Sequence, residues 1–153
     1  MKTIKRMIEH QMWANRQLLA AIDDCEGDVQ EALNLFRHYM IAEQVWGMRM
    51  NGESTAHIQL WIEDADLASL GQLIASNEAR YRELMESLTE ERLDSVLSYA
   101  NQSGAEFQTP IRDILAHVSL HGQYHRGQIN RIMREASGKP GAVDFILFSR
   151  LSE

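Results

Sequence analysis

No proline occurs before residue 110. Proline lacks a backbone N–H and its ring clashes with the preceding turn, so its absence leaves the first hundred residues free to run as long helices. Their apolar residues recur at helical intervals. From Thr3, read as an N-cap, the residues Ile4, Met7, Ile8, Met12, Leu18, Leu19 and Ile22 form one stripe, which predicts a helix over about residues 3–24, ending near Gly27. A second stripe, Ala32, Leu35, Phe36, Tyr39, Met40, Val45, Trp46 and Met50, predicts a helix from about 29 to 50, stopped by Asn51-Gly52. Residues 53–65 read as a connector in which His57-Ile58-Gln59-Leu60-Trp61 makes one short helical turn. Asp66 then caps a third helix, carried to about residue 89 by Leu67, Leu70, Leu73, Ile74, Tyr81, Leu84, Met85 and Leu88.

After Asp94 the pattern changes. Val96-Leu97-Ser98-Tyr99 and Glu106-Phe107-Gln108 flank Asn101-Gln102-Ser103-Gly104, turn chemistry between two short β-like runs, and predict a small hairpin. Thr109-Pro110 reads as an N-cap followed by proline at the first helical position, where the missing N–H costs nothing. The fourth helix is expected from about 110 to 136, closed by Gly138 with Pro140 beyond it. Four amphipathic helices with no repeat, low-complexity tract or linker read as one all-α domain over 1–153, a four-helix bundle. A chain of this length buries roughly 70% of its unfolded surface, enough for a core without staples.

Composition narrows the partners. With 22 acidic and 15 basic side chains the formal charge is −7 and no Lys/Arg run is present, so a nucleic-acid partner is not expected. The basic start, Met1-Lys2-Thr3-Ile4-Lys5-Arg6, leads into an amphipathic stretch with Glu9, His10 and Gln11, a helix and not a signal peptide. No run of about eighteen apolar residues exists to span a bilayer. Cys25 is the only cysteine, which excludes an internal disulfide and makes a reducing cytoplasm the expected compartment. Its neighbours Asp23, Asp24 and Glu26 are acidic, the opposite of what activates a thiol, so it is read as inert.

The chemistry concentrates in the fourth helix. His117, His121 and His125 stand at i, i+4 and i+8, and at about 100° per residue they fan over only about 80° of its surface. Imidazoles one turn apart bring two nitrogens to one cation, half of a tetrahedral site. Each histidine taken singly is as well explained as a core-edge residue satisfied by ordinary hydrogen bonds; three on one face favour the metal. No H-E-x-x-H occurs, no glutamate stands three residues before any histidine, and no cysteine pair is present. A metalloprotease helix, a carboxylate-bridged di-iron centre and a closed structural zinc site are thereby disfavoured, leaving a His-rich mononuclear site with room for water.

The string His121-Gly122-Gln123-Tyr124-His125-Arg126-Gly127-Gln128, with His117 one turn upstream, resembles the signature of the DinB/YfiT-like superfamily of metalloenzymes, the damage-inducible helical DinB and not the polymerase of that name. Trp13-Ala14-Asn15, then His38, Glu43 and Trp46, then Gly138-Lys139-Pro140 with Asp144-Phe145-Ile146 match in order, so the resemblance spans nearly the whole chain. It implies a four-helix bundle with a long crossover connection and one divalent metal held by a histidine of the second helix and two of the fourth: His38, His121 and His125. Zinc is slightly favoured over nickel or iron.

Relatives in that superfamily include thiol-dependent S-transferases and isomerases, which implies a small-molecule substrate, a low-molecular-weight thiol as cosubstrate, and a homodimer; exposed methionines and tryptophans would feed its interface, and core packing explains most of them as well. The expected function is a metal-dependent enzyme of hydrolase or thiol S-transferase type, in which the ion activates a water or thiol. The alternatives are a non-catalytic metal-binding stress-response protein with a structural ion, and a helical interaction module without metal. His117 is expected beside the site, in packing or a supporting hydrogen bond. Glu43 lies about 140° around its helix from His38 and is expected to pair with Arg126 or make another buried polar contact. Tyr124 offers a hydroxyl at the end of a packed ring, Arg126 and Gln128 lock the bundle or line the pocket, and Gly127 admits a neighbouring helix.

Overall fold

Three long helices occupy the proline-free stretch in the computed structural model, which describes residues 1–151: α1 (Lys2–Asp23), α2 (Gln30–Met50) and α3 (Leu67–Glu86). A short α4 (Glu90–Asp94) leads into an antiparallel hairpin of β1 (Val96–Ala100) and β2 (Glu106–Pro110), then α5 (Ile111–Glu135) and a final short α6 (Phe145–Arg150). The fold is the expected helical bundle with a hairpin before the last long helix. Two short helices, α4 and α6, lie outside the sequence reading. In α4, Thr89 caps the Arg92 N–H at 3.1 Å, and Glu90 and Glu91 favour the positive end of the helix.

Several ends differ from expectation for local reasons. Thr3 lies inside α1, which starts at Lys2 with no side-chain cap. Asp66 does cap α3, accepting from the Ser69 N–H at 2.8 Å. Thr109 is a strand residue paired with Leu97, and Pro110 itself is the N-cap of α5. At the other end of α5, Ser137 takes the left-handed conformation (φ 61°) and the Gly138 N–H reaches back to the Met133 carbonyl at 2.8 Å. Gly138 is required by proximity, since a β-carbon there would stand 2.6 Å from Cys25 Sγ. The segment His57–Trp61 forms no helical turn; a turn over Thr55–Ile58 is followed by irregular chain.

Side-chain contacts fix the directions of the long helices. Asn77 donates to the Met40 carbonyl and Tyr81 to the Glu43 carbonyl, so α2 and α3 run parallel. Parallel neighbours need a connection that returns along the bundle, and residues 51–66 are that crossover. Asn15 and Gln11 of α1 meet Glu43 of α2, while Arg126 of α5 meets Asn15, so α1 and α5 run together and opposite to α2. The apolar core falls into two clusters, one around Phe36, Met40, Leu70 and Met133, the other around Ile8, Tyr81, Leu93 and Leu115. Met12, Met40, Met48, Met50, Met85 and Met133 are buried and serve the core, while Met1 is exposed and Met7 half-buried. The exposed large apolar side chains include Trp61, Leu120, Tyr124 and those of α6. Among the described residues no helix is long and apolar enough to cross a membrane.

The chain after α5 folds back onto α1 through His10. Its Nε2–H donates to the Val143 carbonyl at 2.7 Å, and its ring packs against Trp13, Phe145 and Phe148 at 5.2–5.9 Å. Burial, the largest influence, holds the His10 pKa below its ordinary 6.5; the bond to Val143 and the charge of Asp144 act upward, and Arg126 downward. A histidine depressed on folding contributes stability that is full above its unfolded pKa and is lost as pH falls below it. His10→Phe keeps a ring but orphans the Val143 carbonyl. Chemical denaturation should therefore show a loss of about 1–2 kcal/mol at pH 8, together with a shallower fall in stability below pH 6.5 than the parent.

Candidate metal centre

Helical spacing puts His117, His121 and His125 on one face of α5, and antiparallel packing brings His38 of α2 against it. The Nε2 atoms of His121 and His125 are 3.0 Å apart, with ring centres at 4.5 Å and planes at 85°. The His38 ring stands 5.6 Å from that of His125, again at 85°. His38 Nδ1 lies 2.9 Å from the Leu60 carbonyl, and because a carbonyl only accepts, Nδ1 carries the proton. His125 Nδ1 likewise donates to Gln128 Oε1 at 2.8 Å. Both rings are thus held in the tautomer that leaves Nε2 with a lone pair, and that of His125 accepts from His121 Nε2–H at 3.0 Å. Burial first, then the charges of His125, His117 and His38, push the His121 pKa down to about 4. Burial also lowers that of His125.

These donors suit a divalent ion in chemistry and largely in spacing. Two imidazoles sharing an ion at about 2.0–2.1 Å stand with ring centres roughly 4.5–5.5 Å apart and donor nitrogens about 3.0–3.4 Å apart. The His121–His125 pair meets both values, and the His38–His125 separation of 5.6 Å lies just beyond the window. The three do not enclose one point: among the described residues no group of three or more His, Cys, Asp or Glu side chains stands in metal-holding arrangement. The crossover roofs the cluster, with Trp61 ring to ring with His38 at 4.9 Å. His117 stays at the exposed edge, stacked on His121 at 5.3 Å and edge-on to Trp46 at 5.7 Å. Tyr124 is largely exposed; its ring stands edge-on to His125 at 5.3 Å and its hydroxyl accepts from Gln128 Nε2 at 3.3 Å.

Behind the histidines a polar layer crosses the core between the two apolar clusters. Arg126 is fully buried; its Nη1 donates to Asn15 Oδ1 at 3.0 Å and its Nη2 to Gln123 Oε1 at 3.2 Å. Tyr39 also donates to Asn15 Oδ1, at 2.7 Å, and the Asn15 amide donates to Glu43 Oε2 at 3.3 Å. Gln11 gives Glu43 a second donor. Glu43 therefore does not pair directly with Arg126, and Asn15 stands between the two charges. Burial pushes the Glu43 carboxyl up, opposed by the Gln11 amide, by Arg126 and by Asn15. The layer touches the histidines through Tyr39, whose ring stacks on His125 at 5.8 Å and 5°.

The DinB family model matches residues 1–153. The chain belongs to the DinB family. Protein DinB of Bacillus subtilis (strain 168) is 26% identical over 165 residues, covering 94% of this chain and 91% of that relative. The crystal structure of a DinB-like protein from Bacillus cereus ATCC 10987 superposes with a TM-score of 0.71 at 13% identity, over 94% of this chain and 97% of the other. That likeness establishes a shared fold.

Within this DinB chain the recognisable strings divide into two jobs. His38, His121, His125 and Gln128 belong to the cluster, while Asn15, Glu43 and Arg126 belong to the layer that supports it. The close-approach glycine is Gly122 and not Gly127. A β-carbon on Gly122 would meet Arg126 Nη1 at 3.0 Å and Gln11 Oε1 at 3.2 Å, whereas one on Gly127 meets nothing within 4 Å. Sequence reasoning assigned no role to Leu60 and Trp61, because a loop carbonyl leaves no trace in composition. Gln11 and Asn15 did leave one: two amides a turn apart on the buried face of α1.

Two expectations follow from this division. Asn15→Ala strips a partner from Arg126, Tyr39 and Glu43 together, so urea denaturation should show a loss of about 2–4 kcal/mol. Gly127→Ala removes only a flexible helical residue and should stabilise by about 1 kcal/mol, whereas Gly122→Ala should destabilise by about 1–3 kcal/mol.

Proposed function

We propose that this DinB family member is a metal-dependent enzyme of hydrolase or thiol S-transferase type, with one divalent ion held by His38, His121 and His125. The observation that carries the reading is the pair of anchored tautomers. Leu60 holds the Nδ1 proton of His38 and Gln128 holds that of His125, so each Nε2 carries a lone pair, that of His125 now taken by the His121 N–H whose place an ion would fill. Metal-binding histidines are oriented by such carbonyl acceptors. A divalent ion there would supply the positive charge that makes a bound water or thiol acidic enough to react near neutral pH. Zinc suits the donor set best, with nickel and iron close behind.

The chain's own residues do the rest. His121 and His125 stand at the spacing a shared ion needs, and His38 would complete the set by a movement of its ring toward them; three such donors would leave part of a divalent ion's coordination open to a small molecule. Trp61 and Trp46 with His117 wall the approach, while Tyr124 and Gln128 offer polar groups at the rim. A low-molecular-weight thiol or a hydrolysable small molecule fits such an exposed edge. A structural ion in a non-catalytic stress-response protein is the competing reading, and it makes a different forecast.

Elemental analysis of protein purified without a histidine tag should find about one equivalent of metal per chain, falling at least about fivefold in His121→Ala and in His38→Ala. Chelation should lower Tm by several degrees in the parent and not in those variants. Less than a tenth of an equivalent in the parent, after supplementation with zinc, nickel or iron, would sink the metal reading. Full occupancy without turnover in a thiol-cosubstrate screen against electrophiles and esters would favour the structural ion.

A further inference from the structure

Arg49, near the C-terminal end of α2, is 9% exposed, and no carboxylate among the described residues forms an ion pair with it. Its guanidinium lies between two aromatic rings, 4.8 Å from the centre of Trp46 and 4.9 Å from that of Tyr99. Nε donates to Thr55 Oγ1 at 3.3 Å and Nη2 to the Ala100 carbonyl at 3.0 Å, both neutral acceptors. A guanidinium carries five N–H donors, so three have no partner among the described residues. Arg49 also lines a cavity of about 280 Å³ between the start of the crossover and the hairpin. The free donors are not sealed in the core but open onto that cavity, and a guanidinium so largely withdrawn from water is ordinarily met by an anion. In a chain of net charge −7, with carboxylates abundant elsewhere, the missing counter-charge is conspicuous.

We propose that this cavity is a binding site for a small-molecule carboxylate, held by the remaining guanidinium donors of Arg49. The aromatic clamp fixes the plane of the guanidinium, and a flat carboxylate matches that fork. Phosphate dianions suit the site less well: one cation does not balance two charges, and Glu53 lines the same cavity. Thr55 and the Asn101–Gln102 turn offer further polar groups, while Leu97 gives the ligand's carbon chain an apolar wall. Burial lowers the Arg49 pKa, the direction an arriving anion would reverse. Trp46 is shared with the histidine face, its ring 5.7 Å from His117, so a carboxylate on Arg49 sits on the same side of the bundle as the histidines. The site stands whether or not those histidines hold a metal.

The test uses the whole protein and sodium propionate as probe, with sodium chloride at equal ionic strength as control and inorganic phosphate as comparator. Propionate should quench or shift tryptophan emission saturably, and amide shifts should localise to Thr55 and the stretch from Ser98 to Gln102. Arg49→Gln should weaken the apparent affinity about tenfold or more, and His121→Ala should leave it unchanged. If Arg49→Gln does not fold, Arg49→Lys, which keeps the charge and loses the planar fork, should weaken the apparent affinity about threefold or more while preserving the circular dichroism of the parent. No saturable response to propionate, an unaltered response in Arg49→Gln or Arg49→Lys, loss in His121→Ala, or tighter binding of phosphate would each overturn the assignment.

Discussion

A charged side chain buried at the centre of the bundle, Arg126, sets the terms for the rest of the molecule. Withdrawing a guanidinium from water is costly unless its donors and charge are answered nearby. Here the answer is distributed and partial: Asn15 takes one N–H and Gln123 another, Nε has no partner among the described residues, and the Glu43 carboxyl lies beyond the Asn15 amide. Every participant comes from α1, α2 or α5, and sliding any of these helices by one turn would strand a buried polar group. A purely apolar interface tolerates such sliding better. The polar layer therefore fixes the register of the three helices, a role buried polar groups fill in other helical assemblies.

Register matters because the histidine cluster sits on the joint it fixes. His38 comes from α2, His121 and His125 from α5, and their mutual distances depend on how these two helices are staggered. Tyr39 connects the two levels, its hydroxyl in the polar layer and its ring against His125. The residues that set the geometry are thus not the imidazoles themselves. Asn15 and Glu43 act at one remove, by holding the helices that carry the imidazoles.

Much of this was legible in the chain before any coordinates. The lack of proline before residue 110 and the apolar stripes located the long helices to within a few residues, and the turn chemistry at Asn101–Gly104 marked the hairpin. The histidine face of α5 followed from spacing alone, while His38 entered through family resemblance. Less visible were features that depend on backbone meeting side chain across the fold. The Leu60 carbonyl that orients His38 is one, and the clasp of His10 on Val143 is another. Glycine was misread in the same way: Gly122 and Gly127 look equivalent in sequence, and only the neighbours of the first are crowded. α6 escaped because its six residues are too few to show a period.

The crossover between α2 and α3 touches the bundle at two functional points. Thr55 near its start contacts Arg49, and Leu60 five residues later holds the ring of His38. Loops of this length ordinarily accommodate insertions at little entropic cost. This one has a calibrated length, because an extra residue between those two anchors would leave the helices packed and yet move the oxygen that aims an imidazole. Drift in loop length, harmless elsewhere on such a surface, becomes a route by which the histidine cluster is re-aimed or dispersed without disturbing the core.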